Sequence, residues 1–252
     1  MISVWSVLAF APLLSAQTPA PEQTGDKVLK SVTFASQPGV VWVPLREMGD
    51  VVGWQVTWDE AQNQVSLDNR IISEKSIYRN PQKRSFIKLS SLPYLDVQIS
   101  PIGEGTWEAV KAEKKAVIKE GEKRVEINLN DQVLVAWQGP HLVMTTNVST
   151  GRRGFTTPTG NYKAIAKTRY RVSRKYNNSP MPFSVQLFAG YFIHGSSSVP
   201  RRPASHGCVR MPLGRRNAAK EFFDWVTVGT PVAITREWSD EAAKMVSPES
   251  EA

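Results

Sequence analysis

From Arg124 onward the sequence is cut into short runs in which apolar and polar residues alternate, each run closed by a turn signal. Val125, Ile127 and Leu129 alternate with polar neighbours, Asn130-Asp131 turns the chain, Val133 to Trp137 forms a second run, and Gly139-Pro140 ends it before Leu142 to Met144. A period of two sends successive side chains to opposite faces, which a half-buried strand requires and a helix cannot use. Thr157-Pro158-Thr159-Gly160 is a further turn, with Tyr162, Ala164 and Ala166 alternating after it. Residues 180–182 read as a loop, and Val185 to Phe188 and Tyr191 to Ile193 as strands. One segment breaks the rhythm. Asn217 can cap a helix whose apolar stripe is Ala218, Ala219, Phe222, Phe223 and Val226, ended by Gly229 and Pro231 before a last strand at Val232 to Ile234. This half is therefore expected to be mostly β with one marked helix.

The first half reads differently. Strand-like runs at Val28 to Phe34 and Val40 to Val43 lead to Pro44, after which Leu45, Met48, Val51 and Val52 recur at helical spacing until Gly53. Trp54, Val56 and Trp58 then alternate with polar residues, a turn follows at Asp59 to Gln64, and Val65 to Leu67 is another strand. Phe86 to Leu92 echoes Trp42 to Met48 at a distance of 44 residues. The pattern predicts a small α+β domain built from β-α-β-β units. At 252 residues the chain exceeds one ordinary domain, and 41% hydrophobic residues with eight Trp can fill two cores. The division expected is a leader and linker over 1–24, the α+β domain over 25–112, a Lys/Glu-rich linker over 113–123, the β domain over 124–236 and an acidic tail over 237–252. The tail is expected to be a loose helix or disordered. Ile2 to Leu14 is apolar and Ser15-Ala16 is small, as in a secretory signal. Export to the periplasm or cell envelope is expected, through a cleaved signal or an uncleaved anchor.

The net charge of +8 is concentrated in the second half. Residues 124–236 hold 16 Lys/Arg against 4 Asp/Glu, whereas residues 26–123 hold 14 against 13. A field of that sign gathers anionic partners. Nucleic acid, acidic lipid and anionic wall polymers all fit it, and so does a merely solvated basic face.

There is one cysteine, Cys208, and there are three histidines, His141, His194 and His206. A single Cys rules out an intramolecular disulfide and a Cys-rich structural zinc site. The segment Ser205-His206-Gly207-Cys208-Val209-Arg210 carries the chemistry. A thiol becomes a nucleophile when ionised, and an imidazole or guanidinium nearby favours the thiolate. In an extended or turning segment His206 and Cys208, at i and i+2, can leave on the same face, Gly207 lets the backbone turn or a substrate approach closely, and Arg210 adds positive charge or a carboxylate clamp. Two other readings remain open on these residues. Cys208 could be a packed residue beside a surface His206, or His194, His206 and Cys208 could ligate zinc, though the segment holds no carboxylate. His141, after a Gly-Pro turn, is expected on the surface. Trp42, Trp54, Trp58 and Trp107 are expected in the first core, with a sugar-binding platform as the alternative.

Tyr191-Phe192-Ile193-His194-Gly195 followed by Ser205-His206-Gly207-Cys208-Val209-Arg210 resembles the signature of L,D-transpeptidases of the YkuD type. Val148-Ser149-Thr150-Gly151, Thr157-Pro158-Thr159-Gly160 and Gly229-Thr230-Pro231-Val232 are similar to further family segments, so that the resemblance spans about residues 124–235. The stretch from Val41 to Leu67 resembles the copper amine oxidase N-terminal-like domain, a stalk module, and the resemblance covers roughly residues 28–112; with no His or Cys there, copper is not implied. The transpeptidase resemblance implies a β-sandwich catalytic domain without metal or cofactor. It implies Cys208 as the nucleophile that forms a thioester, His206 as its proton acceptor, and His194 as a residue that lines the site and positions substrate. It implies the backbone N–H groups of Gly207 and Cys208 as the oxyanion pocket. Ser205 and Arg210 would orient the loop, Arg210 meeting the carboxylate of a diaminopimelate-type donor, and the Ser196 to Ala204 loop would form a mobile cover. The partners implied are peptidoglycan stem peptides and anionic wall polymer, not nucleic acid, with membrane contact only through a retained leader. The expected activity is 3→3 cross-linking of tetrapeptide stems. An L,D-carboxypeptidase or cysteine peptidase using water, and a non-enzymatic wall-binding module, are the alternatives.

Overall fold

The computed structural model describes residues 26–246; the expected leader and the end of the acidic tail lie outside them. Strand outweighs helix, 48% to 14%, so the chain is mostly β, as expected. In the first half the elements are β1 (Lys27–Thr33), β2 (Val41–Pro44), α1 (Leu45–Val52), β3 (Val56–Asp59), β4 (Gln64–Leu67), β5 (Arg70–Ile71), β6 (Ile77–Arg79), β7 (Ser85–Lys88), β8 (Gln98–Gly103), β9 (Thr106–Lys111) and β10 (Lys114–Glu120). Seven of these strands form one sheet in the order β6-β7-β2-β1-β10-β9-β8, and β3-β4-β5 form a small meander.

The helix starts after Pro44 and stops at Gly53, whose φ of 81° suits a residue without a side chain. It buries Leu45, Met48 and Val52. The internal echo is realised as neighbours: β2 and β7, its two copies of one strand, pair antiparallel with Trp42 opposite Lys88 and Val43 opposite Ile87. The second copy follows its strand with a 3-10 helix, Leu89–Leu95, rather than an α-helix. Pro93 inside that segment has no N–H to donate, which accounts for the shorter form.

The stretch expected to be a linker, 113–123, is largely β10. It pairs parallel with β1 and antiparallel with β9. Its Lys/Glu content is misleading because the charges occupy the outward positions while Ala116 and Ile118 are fully buried between them.

The second half contains β11 (Lys123–Asn128), β12 (Val133–Gln138), β13 (His141–Asn147), β14 (Gly160–Lys163), β15 (Ala166–Ser173), β16 (Ser179–Phe188), β17 (Tyr191–Ser196), β18 (Val209–Pro212), α2 (Ala218–Trp225), β19 (Pro231–Thr235) and α3 (Asp240–Val246). Five strands order as β13-β12-β11-β19-β14 and four as β15-β16-β17-β18. The two sheets share a core that includes Ile127, Leu134, Val185, Ile193, Val209 and Val232, closed by Phe222 and Trp225 of α2. Asn217 caps that helix as expected, accepting from the Lys220 N–H.

Two expectations need correction here. Residues 180–182 belong to β16, not to a loop. Pro180 and Pro182 fall on the part of the strand that pairs with β15 alone, where a missing N–H is tolerated. The start of the tail is docked rather than loose. Ala242 packs with Trp137 and Leu142, the Trp238 indole donates to Asp131 at 2.5 Å, Ser239 donates twice to Glu126 at 2.8 and 2.7 Å, and Arg124 pairs with Glu241 at 2.5 Å.

The halves share a seam. Val32, Trp42 and Phe86 of the first half belong to the core of the second. His141 is 1% exposed, not a surface residue; its Nε2 contacts the Lys30 carbonyl at 2.8 Å and its ring meets Phe86 edge-on at 4.9 Å. Of the four Trp expected in the first core, Trp42 lies in this seam, Trp54 and Trp107 pack where expected, and Trp58 is 38% exposed. Gln138, fully buried, accepts from the Thr33 N–H at 3.0 Å and the Trp225 indole at 3.1 Å. Replacing it by Leu strands both donors. A buried donor without a partner costs about 1–3 kcal/mol, so Gln138→Leu should lower the unfolding free energy by about 2–4 kcal/mol in a denaturant titration. An unchanged midpoint would show that the seam does not depend on it.

Candidate active site

The site forms where β17 and β18 run side by side. They pair parallel, Ile193 opposite Val209 and His194 opposite Arg210. Alternation sends Ile193, Val209 and Met211 into the core, where each is at most 1% exposed. The same alternation puts His194, Arg210 and Cys208 on the other face. There they line a cavity of about 330 Å³, together with Ser205, His206, Ser196 to Ser198 and the β15–β16 hairpin.

Cys208 sits at the mouth of β18, half-buried, with its Sγ 3.7 Å from the Gly190 carbonyl. Burial pushes the thiol above its ordinary value; a hydrogen bond from the Phe192 backbone and the charges of Arg210 and Arg171 pull it down without cancelling that effect. His194 is 7% exposed, and its Nδ1 donates to the Gly195 carbonyl at 2.9 Å. That bond fixes the neutral tautomer with its lone pair on Nε2. Burial pushes the ring down to about 4, and the Arg210 charge adds to the effect.

His206 lies on a turn. Gly207 adopts φ 112°, so the segment bends there instead of continuing as a strand, and His206 lines the same cavity as Cys208. The His206 ring stacks on Tyr176 at 4.3 Å, meets Phe155 edge-on at 4.9 Å, and its Nε2 accepts from Arg152 at 2.9 Å. Its pKa is lowered by desolvation and then by Arg152, Arg210 and Lys175. No hydrogen bond joins it to Cys208 among the described residues.

Gly207 also departs from its expected role. Its N–H donates to Ser205 Oγ at 3.0 Å, so it is not aimed at a substrate oxygen. Its part is conformational: a Cβ there would meet the Tyr191 ring at 2.9 Å. Ser205 completes the turn by donating to the Cys208 carbonyl at 2.5 Å.

The turn is braced from outside by Ser149-Thr150-Gly151. Ser149 and Arg210 exchange backbone bonds at 3.0 Å, and the Ala204 and Ser205 N–H groups both reach the Thr150 carbonyl at 2.9 Å. Gln132 holds Thr150 in turn, through its N–H at 2.8 Å and its hydroxyl at 2.7 Å. Thr157 links both parts, accepting from the Gly151 N–H at 2.8 Å and donating to the Gly207 carbonyl at 2.7 Å. Gly151 allows no side chain, since a Cβ would lie 1.9 Å from the Phe155 carbonyl.

The loop after His194 is pinned, not free to act as a cover along its whole length. The Arg202 carbonyl accepts from Ser149 at 2.8 Å, and the Asn147 amide oxygen faces the Arg201 guanidinium at 3.2 and 3.0 Å. Arg152, Phe155, Tyr176 and Arg171 were not singled out from the sequence. Arg152 and Phe155 lie just past the Ser-Thr-Gly brace, a signal that was there to use. Tyr176 and Arg171 arrive on the β15–β16 hairpin, and the Arg171 guanidinium lies over the Phe192 ring at 4.4 Å; nothing in their local pattern points to Cys208. Among the described residues no group of three or more His, Cys, Asp or Glu is placed to hold a metal ion.

Residues 122–234 match the YkuD family, the L,D-transpeptidase catalytic domain. No curated protein matches the chain. Among solved structures, an L,D-transpeptidase of Stackebrandtia nassauensis is 26% identical over 46% of this chain and 56% of its own, with a TM-score of 0.41. The chain therefore spans just over half of that protein. An L,D-transpeptidase of Mycobacterium smegmatis is 15% identical over 84% of this chain and 95% of its own, TM-score 0.42. L,D-transpeptidase 3 of Mycobacterium tuberculosis, in complex with a faropenem-derived adduct, is 14% identical over 85% and 96%, TM-score 0.41. At these scores the superpositions carry no weight beyond the likeness itself. The YkuD segment contains every residue of the cavity described above.

Two outcomes follow from this geometry. Thr157→Val keeps the shape but leaves the buried Gly151 N–H unpaired, and should cost about 1–3 kcal/mol of stability in a denaturant titration; no change would show that the brace is dispensable. The pH dependence of Cys208 alkylation by iodoacetamide should still be rising past the thiol's ordinary value of 9.0. Arg210→Gln, which removes a charge that lowers that value, should move the profile further up. A rate already at its plateau near neutral pH contradicts this account.

Proposed function

We propose that this protein is an L,D-transpeptidase that cross-links peptidoglycan stems through a thioester on Cys208, acting outside the cytoplasm in the cell envelope. The observation that carries the proposal is the shared face of β17 and β18. There a half-buried thiol opens into the same cavity as a histidine whose free nitrogen is fixed by the bond to Gly195. The match of residues 122–234 to the transpeptidase catalytic domain supports the choice of reaction.

In this reading His194, rather than His206, takes the thiol proton. With the thiol held up and the imidazole held down, the resting pair is neutral, so proton transfer accompanies attack instead of preceding it. Sulfur bonds to the donor carbonyl carbon, the His194 proton passes to the departing amine, and the C–N bond breaks to leave a thioester. The acceptor amine then attacks the thioester carbon and gives its proton back through His194 to the leaving thiolate. The Cys208 N–H is the remaining backbone candidate for the carbonyl oxygen. Arg210 lines this cavity, and Arg171 adds its charge from the Phe192 ring, a positive field suited to the carboxylates of a stem peptide. His206, clamped by Arg152 and Tyr176, acts as a positioning residue for the turn.

Incubation with muropeptides bearing tetrapeptide stems should yield 3→3 cross-linked dimer and a Cys208 acyl adduct by mass spectrometry. A Cys208→Ala protein that still makes dimer refutes the proposal, and trimmed stems without dimer would point to water as the acceptor. His194→Gln should reduce kcat by about 10²–10⁴, the usual contribution of a general base, with His206→Gln falling well short of that. The reverse order returns the proton to His206.

A further inference from the structure

A second cleft, of about 700 Å³, lies on the seam between the halves and has no part in acyl transfer. Phe86 and His141 line it. The His141 Nε2–H donates to the Lys30 carbonyl, which leaves a lone pair on Nδ1; that buried atom has no hydrogen-bond partner. Buried polar atoms nearly always have one.

The charges around it are divided by sign and left apart. Glu47 and Asp50 come from α1 and Glu60 from the β3–β4 turn, while Arg79, Lys83 and Arg84 come from the β6–β7 hairpin. Among the described residues none of these six forms an ion pair. Long side chains of opposite sign around one cleft normally close on each other. Here the hairpin is held. The Arg79 guanidinium stacks on Trp58 at 3.2 Å and its Nε donates to Ser85 at 3.2 Å. The Arg84 N–H donates to Asn80 Oδ1 at 2.9 Å, and Asn80 Nδ2 donates across the seam to the Leu142 carbonyl at 2.9 Å.

A ligand that satisfies this cleft carries both signs. A polyanion would face three carboxylates, and a neutral glycan would leave both sets of charges unpaired. Val56 and the exposed edge of Trp58 add apolar surface for short side chains. We propose that the seam cleft binds a zwitterionic peptide, its amino group at the acidic face of α1 and its carboxylates at the β6–β7 hairpin. The identification of that peptide as a wall stem, which bears both groups on diaminopimelate, rests on the transpeptidase reading above.

The test is a titration of isotope-labelled, full-length Cys208→Ala protein with a free tetrapeptide stem, followed by NMR. The Trp58 indole and the Lys83 and Arg84 amides should shift together. The double variants D50N/E60Q and K83S/R84S should each weaken binding by about tenfold or more, as expected for lost charge-assisted contacts. These four side chains are exposed, so the melting temperature should hold. Shifts confined to the Cys208 cavity, equal binding of peptide-free glycan strands at the cleft, or unchanged affinity in both double variants would overturn the proposal. If the wild type forms no acyl adduct while the cleft binds the peptide, the transpeptidase reading fails and this one stands. If the wild type acylates while the cleft stays silent, only this proposal falls.

Discussion

The left-handed step at Gly207 is a conformation that a chain does not hold unaided, and the Cys208 site depends on it. Ser205 supplies half of the restraint by receiving the Gly207 N–H and bonding the Cys208 carbonyl. The other half comes from a segment fifty or more residues earlier in the chain, where Thr150 takes two N–H groups and Thr157 bonds the Gly207 carbonyl. Gln132 stands behind Thr150 in the same way. Each link is a buried hydrogen bond whose loss strands a donor or acceptor, so the network is worth more intact than the sum of single contacts suggests. A thiol placed by such a turn keeps its direction while it stays half-open to the cavity.

The electrostatics of the site oppose a preformed ion pair. Arg152, Arg171, Lys175 and Arg210 make the surroundings positive, which favours a thiolate and disfavours an imidazolium. Burial then disfavours both charged forms, and for Cys208 it outweighs the arginines. A neutral thiol and a neutral imidazole result. Such a pair is slow to react with casual electrophiles, because the neutral thiol is a far weaker nucleophile than the thiolate.

How much of this was legible beforehand can be judged residue by residue. The mostly β class, the capped α2 and the chemistry-bearing segment all followed from short-range patterns, because period, caps and a unique Cys are local properties. The placement of His194 was not local. The parallel pairing of β17 with β18 puts it opposite Arg210, and sequence spacing contains no strand register. The misread linker fails for a related reason. β10 is central in its sheet yet needs only Ala116 and Ile118 to face the core, so its composition looks like a tether. His141 was placed on the surface by a turn signal that is real; what covers it is the other half of the chain.

That covering ties the first half to the second. Domains joined only by a flexible linker meet through few contacts. Here Val32, Trp42 and Phe86 are part of the second core, Gln138 ties Thr33 to Trp225, and the Ser36 N–H bonds the Asp224 carbonyl at 2.9 Å. The strand that ends in His141 is the edge of the same five-stranded sheet whose far end, beyond Asn147, leads into the Ser149–Gly151 brace. One continuous run of chain therefore lines the seam cleft at one end and supports the turn at Gly207 at the other. That strand is about twenty ångström long, at roughly 3.3 Å per residue, so a single extended element sets the distance between the cleft and the turn.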